Sequence, residues 1–462
     1  MAVLLTAQAM GNMDTSIVNV AAKTLRDDLG ASGGSLQAIL VAYTLVFGIL
    51  VVTGARLGDD HGHRRMFLLG LGGFVLASLL CGVAPDATSL ALARAVQGGT
   101  GALMIPQVLS SIQLMFSGAR LAKAIGYYSM VLALGVAAGQ ILGGLIVAAD
   151  LFGYSWRVAF LINVPIGLVL LLLARAHLPG SPPRQRLRLD IIGVGLLGLS
   201  MALLLLPLMF GRSHGWPLWT WISVVAGAAG VVGFVRYELV LLARDARPLL
   251  DLRALRSPGT TPGLLALWLL NFSFAAILFP LTLHLQTALE YSAIQAGLMF
   301  VPYPIGFATV SLTWARYPQR WHARLPVVGL VVFSLAAALL AYTVHIGWPV
   351  PLAAAVLALA GAGMAAAMSP LINQVAATVG PGYASAVSAL MSTGSLLSSV
   401  LATAAIGGLY LSFAERDMAQ SATGITWSFA LVSALLILAT TCAARVWHVS
   451  VHRTTEPAAQ SD

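Results

Sequence analysis

Apolar runs of about twenty residues recur along the whole chain, separated by short polar segments. A hydrocarbon core of roughly 30 Å is crossed by about 20 helical residues, so each run predicts one membrane-spanning helix. The pattern predicts fourteen spans, at about 2–22, 35–55, 66–84, 88–112, 124–148, 156–176, 190–211, 217–241, 262–286, 292–314, 323–344, 349–373, 385–411 and 424–447. This is the pattern of an all-α integral membrane protein without a sizeable soluble domain.

Two longer polar interruptions, 177–190 and 243–263, divide these spans into groups of six, two and six. Both are rich in Pro, Gly and Arg, which favour irregular backbone outside the hydrocarbon. The division predicts two six-helix bundles with an inserted helical pair, a repeat construction common in secondary transporters. The predicted domains are an N-terminal bundle at 1–176, linkers and two inserted helices at 177–261, a C-terminal bundle at 262–447 and a cytoplasmic tail at 448–462.

The distribution of basic residues orients the predicted helices. With the N-terminus in the cytoplasm, 18 of the 25 Lys and Arg residues lie on the inner side, 5 on the outer side and 2 within spans. The positive-inside rule therefore predicts that both termini are cytoplasmic. The chain is 59% hydrophobic and 9% charged, with a mean hydropathy of +0.89, so its net charge of +9 reflects topology and predicts no nucleic-acid partner.

Neither a cleavable signal peptide nor a metal site is expected. The first span carries an acid and no basic segment precedes it, so a cleavable signal peptide is not predicted. The two cysteines fall inside distant spans without metal-ligand spacing, which predicts packing roles.

One acid and one base in the first four spans are candidates for function. Asp14 is the only charge in its span, where a carboxylate costs roughly 2.5–3.5 kcal/mol on insertion scales, although a purely structural polar pair is an alternative. Arg94 shares a helix face with Gln97, Gly98 and Gly101, and snorkelling to the interface is its alternative. Their depths differ by only a few ångströms at about 1.5 Å per residue, which predicts one charge network.

Polar and aromatic side chains inside the spans are candidates for contact with a substrate. The helical repeat places Asp14 on one face of its span and a stripe that includes Asn12 and Ser16 on another, so the stripe is the better candidate for a cavity lining. Ordinary packing is the alternative for each candidate. His284 is expected to be an interfacial polar residue. The candidate lining residues are Asn12, Ser16, Tyr43, Gln97, Tyr127, Trp268, Asn271, Phe272 and Tyr303.

Two further motifs indicate moving or closely packed helices. The segment GARLGDDHGHRRMF is predicted to be a short inner loop in which acids, imidazoles and arginines form a gate latch; a solvated turn is the alternative. Gly135, Gly139 and Gly143 recur every four residues and Gly144 follows, a spacing that permits close helix contact. The predicted gating residues are Leu57, Gly58, Asp59, Gly62, Arg64 and Arg65.

These motifs resemble those of the major facilitator superfamily. The loop is similar to the pattern G-x-L-A-D-R-x-G-R-K, with Ala55, Asp60 and His63 as departures. Arg94 begins a segment similar to R-x-x-Q-G-x-G-A, and the span 5 glycines resemble the antiporter motif G-x-x-x-G-P-x-x-G-G, with Gln140 in place of proline. The segments MDTSIVNVA, SWRVAFLINVPIG, LHLQTALEYSAIQAGLMFVP and GPGYASAVSALMSTG are similar to those of the fourteen-helix drug:proton antiporter branch.

The resemblance implies a proton-coupled antiporter that exports hydrophobic or amphipathic drugs across a bacterial plasma membrane by alternating access, with Asp14 and Arg94 in proton coupling. It implies no cofactor besides the proton, a small-molecule substrate, a lipid bilayer environment and a monomer. No nucleotide is expected, because the only G-x-G-x-x-G lies inside a span. The alternative is a transporter of the same fold dedicated to one metabolite, such as a siderophore or amino acid; a membrane-embedded transferase or a channel fits less well.

Overall fold

The structure, a computed structural model, describes residues 1–31, 33–149, 153–154, 156–180, 190–211, 215–244, 248–291, 293–379, 383–414 and 420–455, and the regular structure in these ranges is helical. The first ten helices are α1 (Ala2–Val20), α2 (Ala22–Asp28), α3 (Gly33–His61), α4 (His63–Gly82), α5 (Ala87–Met115), α6 (Gly118–Ala149), α7 (Arg157–Leu161), α8 (Asn163–His177), α9 (Ile191–Phe210) and α10 (Leu218–Ala243). The others are α11 (Thr260–Thr287), α12 (Ala293–Met299), α13 (Pro302–Thr313), α14 (Gln319–His322), α15 (Leu325–His345), α16 (Val350–Thr378), α17 (Ala384–Ala414) and α18 (Ser421–Thr455), with 3₁₀ turns at Leu252–Arg256 and Trp314–Arg316.

Eleven described helical segments are long and apolar enough to cross a membrane. Many large apolar side chains lie on the outside of the protein, among them Leu172, Ile191 and Leu218. Lipid tails solvate such side chains, whereas water would not. The all-helical membrane fold predicted from the apolar runs is therefore confirmed.

The helices form two compact units. One comprises Met1–Met115, Leu134–Leu252 and Ser388–Val400; the other comprises Phe116–Ala133, Arg253–Val387 and Leu401–Asp462. Helices α6 and α17 thus each contribute to both units. The predicted domain boundaries at 176 and 261 remain predictions.

Among the described residues, each unit has a glycine whose added Cβ atom would lie within 3 Å of a tyrosine main chain. In the first unit, Gly98 of α5 lies so close to the main chain of Tyr43 in α3 that a Cβ atom would collide with it. In the second unit, Gly361 of α16 lies in the same way against the main chain of Tyr303 in α13. Glycine lets helix backbones approach this closely. The repeated contact is what a duplicated helix bundle would produce.

The predicted inner loop between the second and third spans is wrong in its extent. Helix α3 continues to His61 and α4 begins at His63, so that only Gly62, with φ of 92°, separates them. Glycine adopts this backbone conformation at little cost. The predicted gating residues therefore lie on the ends of two helices rather than in a flexible turn.

Two other expectations are refined by the structure. His284 lies near the end of α11 and is buried within the protein: it is 4% exposed, and its Nδ1 lies 2.7 Å from the hydroxyl oxygen of Ser421, while its depth at the interface stays a prediction. Helix α18 extends to Thr455, so the predicted tail at 448–462 starts as helix, and its residues 456–462 lie outside the described ranges.

Candidate functional site

The carboxylate of Asp14 accepts three hydrogen bonds from two other helices. Arg94 Nη1 donates to Oδ2 at 2.5 Å, while Gln97 Nε2 and Asn163 Nδ2 donate to Oδ1 at 2.8 and 3.0 Å. Asp14 is 1% exposed. The three hydrogen bonds satisfy both carboxyl oxygens of a side chain that is shielded from bulk water.

Arg94 is held by more than its carboxylate partner. Its Nη1 also donates to Gln97 Oε1 at 2.6 Å, and its Cζ lies 4.6 Å from the ring centroid of Tyr43 and 5.7 Å from that of Phe160. Aromatic faces attract a desolvated guanidinium. Arg94 is only 2% exposed, so the snorkelling alternative is excluded.

Ser78 and Asn163 complete the network, and the sequence prediction missed both. Gln97 Nε2 donates to Ser78 Oγ at 2.8 Å, and Asn163 Nδ2 lies 3.4 Å from the same oxygen. We call Asp14, Ser78, Arg94, Gln97 and Asn163 the Asp14 network. It joins helices α1, α4, α5 and α8. Asn163 lies in SWRVAFLINVPIG, a segment noted for its resemblance alone, and nothing in that string assigned the residue a partner.

The buried ion pair is the charged centre of the Asp14 network. Among the residues that the structure describes, no group of three His, Cys, Asp or Glu side chains has the arrangement of a metal site. The buried pair is neutral overall while Asp14 is ionised, and protonation would leave the charge of Arg94 uncompensated. Removing one partner of a buried pair costs about 3–5 kcal/mol, so protonation is a strong perturbation at this position.

The glycines of α6 pack directly against α1. A Cβ atom added to Gly139 would lie 2.7 Å from the carbonyl oxygen of Met13 and 2.8 Å from Cβ of Ser16. Gly135 and Gly143 make the same kind of contact one turn to either side, with Asn12 and Ile17. The packing around Gly144, the fourth predicted glycine, lies outside what the structure describes. Three of the four glycines therefore form the surface on which the Asp14 helix rests.

The junction of α3 and α4 carries a second polar cluster. Asp59 Oδ2 lies 3.9 Å from Arg56 Nη1, and Asp59 Oδ1 lies 3.6 Å from His63 Nε2. Arg64 donates to the carbonyl oxygen of Arg175 at 2.5 Å. Of the remaining predicted gating residues, Leu57 is half-buried, Gly58 and Gly62 are buried and Arg65 is exposed.

The candidate lining residues are distributed over both units. In the first unit, Tyr43 and Gln97 contact Arg94, Ser16 is buried against Gly139, and Asn12 is half-buried and accepts from Gln8. In the second unit the ring of Tyr303 stacks on that of Phe274, and the two ring centroids lie 5.3 Å apart. There Tyr127, Trp268 and Phe272 are half-buried, as is Asn271, which donates to the carbonyl oxygen of Leu267 at 2.9 Å.

Comparisons with known proteins identify relatives of this chain. The sequence model of the Major Facilitator Superfamily matches residues 4–403 and 263–462. A probable actinorhodin transporter of Streptomyces coelicolor is 40% identical over 344 residues, 74% of this chain and 59% of that protein. A cephamycin export protein of Amycolatopsis lactamdurans is 37% identical over 318 residues, 68% of this chain and 64% of that protein. The chain thus spans about three fifths of the length of these relatives.

A solved structure supports the fold alone. The human organic anion transporter superposes with a TM-score of 0.66 at 16% identity, covering 96% of this chain and 99% of the other. At this identity only the arrangement of the helices is informative.

Proposed function

We propose that this chain, which belongs to the major facilitator superfamily, exports a hydrophobic or amphipathic small molecule from the bacterial cytoplasm in exchange for protons. It is a multi-pass protein of the bacterial inner membrane and a transporter rather than an enzyme. Support for export of an antibiotic comes from the names of two relatives, which refer to actinorhodin transport and cephamycin export.

The proposal includes fourteen spans with both termini in the cytoplasm. Besides the eleven membrane-length segments, α1, α5 and α6 have 19, 29 and 32 residues, each long enough to cross a bilayer. Counting them gives fourteen, and the excess of arginine in the resulting inner segments supports the orientation. We propose that the protein acts as a monomer within the bilayer.

The Asp14 network carries the coupling in this proposal. Asp14 releases and binds the transported proton, while Arg94 stabilises its charged form. When Asp14 is protonated, its ion pair with Arg94 is lost and Gln97 Oε1 remains as an acceptor for the guanidinium. The link between α1 and α5 is therefore weaker in the protonated protein.

The α6 glycines give α1 a surface along which it can shift. Residues 135, 139 and 143 present no side chain to α1, so a small displacement of that helix meets no bulky obstacle. Protonation of Asp14 would then bias α1 between two positions, which is how a proton alters the access of a substrate site. One charge moving through 100 mV supplies about 2.3 kcal/mol for accumulation outside the cell.

Accumulation of fluorescent amphipathic compounds tests export directly. Cells that express the chain should retain less compound than cells with an empty vector, and a protonophore should remove the difference. The Asp14→Asn variant, at equal expression, should retain as much as the empty vector because its amide cannot exchange the proton. Asp27→Asn makes the same change at an exposed position and should export normally. Export that is unaffected by the protonophore would overturn proton coupling.

Export of one dedicated compound is the second candidate. It is favoured by the names of both relatives, each of which refers to a single natural product or class. Resistance profiling against chemically diverse antibiotics separates the two, because a multidrug exporter raises tolerance to several unrelated compounds and a dedicated one to a single class.

A further inference from the structure

Exposed arginines and aromatic rings alternate between α13 and α15 of the second unit. Arg316, Arg320 and Arg324 recur every four residues there, and all three are exposed. Between them, Tyr317 and Trp321 are 48% and 42% exposed. Aromatic rings with a polar atom are enriched where a bilayer meets water, and arginine prefers the same depth because its stem is apolar and its head is charged. The composition of this surface is therefore that of a membrane interface.

The backbone that carries these side chains is held in place from inside. The fully buried ring of Trp314 lies edge-on to His322, with the ring centroids 5.1 Å apart. His322 Nε2 donates to the carbonyl oxygen of Tyr317 at 2.8 Å, and Gln374 Nε2 of α16 donates to the carbonyl oxygen of His322 at 2.8 Å. The exposed side chains thus project from a fixed segment, which lowers the entropy that a bound ligand would cost.

Arg324 is stacked against two indole rings. Its Cζ lies 6.0 Å from the ring centroid of Trp321 and 5.4 Å from that of Trp447 in α18. Aromatic faces attract the flat guanidinium group and fix its orientation. Stacking uses the faces of the guanidinium and leaves the N–H groups at its edge able to donate to an anion. We call Arg316, Arg320, Trp321, Arg324 and Trp447 the Arg324 patch.

The positive charge of the Arg324 patch is not balanced by nearby acids. The sequence has no Asp or Glu between Glu290 and Glu415. Within the described ranges, none of the three arginines forms an ion pair. The start of α15 at Leu325 adds the positive end of a helix dipole. Three guanidinium groups at one helix start favour an anion, and phosphate oxygens accept two parallel bonds from arginine.

An apolar stripe continues from the Arg324 patch along α15. Val328, Val331 and Leu335 are 45%, 45% and 58% exposed. They follow Arg324 by four, seven and eleven residues, which places them on its face of the helix. At 1.5 Å per residue the stripe ends about 16 Å from Arg324, roughly half of a 30 Å hydrocarbon core. One face of α15 therefore offers cations at its start and an apolar surface as long as one leaflet is thick.

We infer that the Arg324 patch binds the phosphate headgroup of an anionic phospholipid, whose acyl chain lies along Val328, Val331 and Leu335. A free phosphate would leave the apolar stripe unused, whereas a phospholipid uses both parts of this surface. The inference rests on the proposed function only for the side of the membrane, since the proposed topology puts 314–324 at the cytoplasmic leaflet. Basic clusters at that leaflet attract anionic lipids. The bound lipid would then link the start of α15 to α18 through Arg324 and Trp447.

Native mass spectrometry of the full chain in detergent, titrated with defined lipids, tests the inference without requiring transport. The first phosphatidylglycerol should bind on the order of tenfold more tightly than phosphatidylcholine with the same acyl chains. Arg324→Gln should remove most of this preference, and Trp447→Leu should weaken it because the guanidinium loses one of its aromatic contacts. Arg120→Gln, at an exposed arginine before α6 and outside the patch, is the matched control and should keep the full preference.

Three results would overturn the lipid site. These are equal affinity for the two lipids, an equal loss of preference in Arg120→Gln and Arg324→Gln, and displacement of phosphatidylglycerol by inorganic phosphate at the same concentration. The last result would identify a site for a free anion. If Arg324→Gln does not fold, Arg320→Gln at an exposed position should also reduce the preference, and an unchanged preference in that variant would count against the patch.

Failure of the proposed function would look different. Absence of export by a protein with the expected lipid preference would overturn the proposed function and leave the lipid site in place. Arg320→Cys should react with an impermeant maleimide only after the inner face is exposed. Its reaction in intact cells would overturn the proposed topology and the cytoplasmic leaflet as the place of the lipid, but not the binding of the headgroup.

Discussion

At the scale of single residues, the buried ion pair dominates the energetics. Asp14 and Arg94 lose their hydration in the apolar part of the first unit, and their mutual attraction and three amide contacts compensate for this loss. The charge of each side chain therefore stabilises the buried charge of the other. A functional role requires that this balance can be shifted by one proton, whereas a purely structural pair requires only that it persists.

Arg94 and Asp14 should show strong thermodynamic coupling. Arg94→Gln leaves a buried carboxylate without its cation and should cost about 3–5 kcal/mol of folding stability. The double variant Asp14→Asn with Arg94→Gln replaces the pair by two neutral amides and should recover about 2 kcal/mol of the summed single losses. Reversible unfolding in detergent, scored for all four proteins, checks this. Additive losses would show that the two side chains do not depend on each other.

The ion pair between Asp28 and Arg157 gives a separate pH dependence outside the spans. Arg157 Nη1 and Trp156 Nε1 donate to Asp28 Oδ2 at 2.6 and 2.8 Å. Hydrogen bonds from Arg157 and then Trp156 lower the pKa of Asp28 below its usual 3.8. Since the folded state binds this proton less readily, the contact stabilises the fold above about pH 4 and is lost as the pH falls through the lowered pKa.

Thermal unfolding between pH 6 and pH 3 measures this contribution. Asp28→Asn should lower the melting temperature at pH 6 and should bring the variant and wild type closer together near pH 3. The adjacent Asp27→Asn changes the same charge on the exposed side of α2 and should leave the profile nearly unchanged. A constant offset between wild type and Asp28→Asn at every pH would contradict the assignment.

At the scale of helices, α1 is held from two directions. The Asp14 network attaches it to α4, α5 and α8, while the glycines of α6 contact its opposite side through Met13 and Ser16. The polar stripe predicted as cavity lining partly faces this contact, because Ser16 lies against Gly139. Movement of α1 thus requires both a weakened charge pair and an unobstructed α6 surface.

Gly139→Ala should impair transport more than it impairs folding. The new methyl group would approach the Met13 main chain at about 2.7 Å and force α1 away from α6. We expect at least a tenfold loss of transport rate with a moderate loss of stability. Gly195→Ala in α9 is the control, since nothing lies within 4 Å of its added Cβ. Equal transport by both variants would argue against α1 movement on the α6 surface.

The sequence predicted the elements of this site better than its contacts. Asp14 and Arg94 were recognisable because a charge inside an apolar run is costly and rare. Ser78 and Asn163 were not, because small polar residues occur in membrane helices at low cost and their partners lie on other helices. The α3–α4 junction was mistaken for a loop because its charges indicate an interface, yet a single glycine suffices to turn the chain there.

At the scale of the whole molecule, both units contain the same helix contact, and the Asp14 network lies in the first unit. Tyr43 packs on Gly98 and Tyr303 on Gly361 in the same way. Four residues before these glycines, the first unit has Arg94 and the second has Leu357. The two contacts are alike in their backbone packing but differ in charge at this position, which supports assigning proton coupling to the N-terminal half.

The proposed topology predicts the side from which introduced cysteines react. In a background lacking Cys442, Asp86→Cys and Glu290→Cys should react with a membrane-impermeant maleimide added to intact cells. Ser117→Cys should react only after the inner face is exposed, and buried Cys81 should remain unlabelled in either case. Labelling of position 290 from the inside only would contradict the nine spans proposed between the cytoplasmic N-terminus and that outer loop.

Substrate-dependent proton movement in proteoliposomes tests the central claim most directly. With a transported compound and an imposed pH gradient, wild type and Asp27→Asn should release protons into the lumen in step with compound movement. Asp14→Asn, at the same density of folded protein, should show neither proton movement nor accumulation against a gradient. Proton movement coupled to transport in the Asp14→Asn protein would contradict the account.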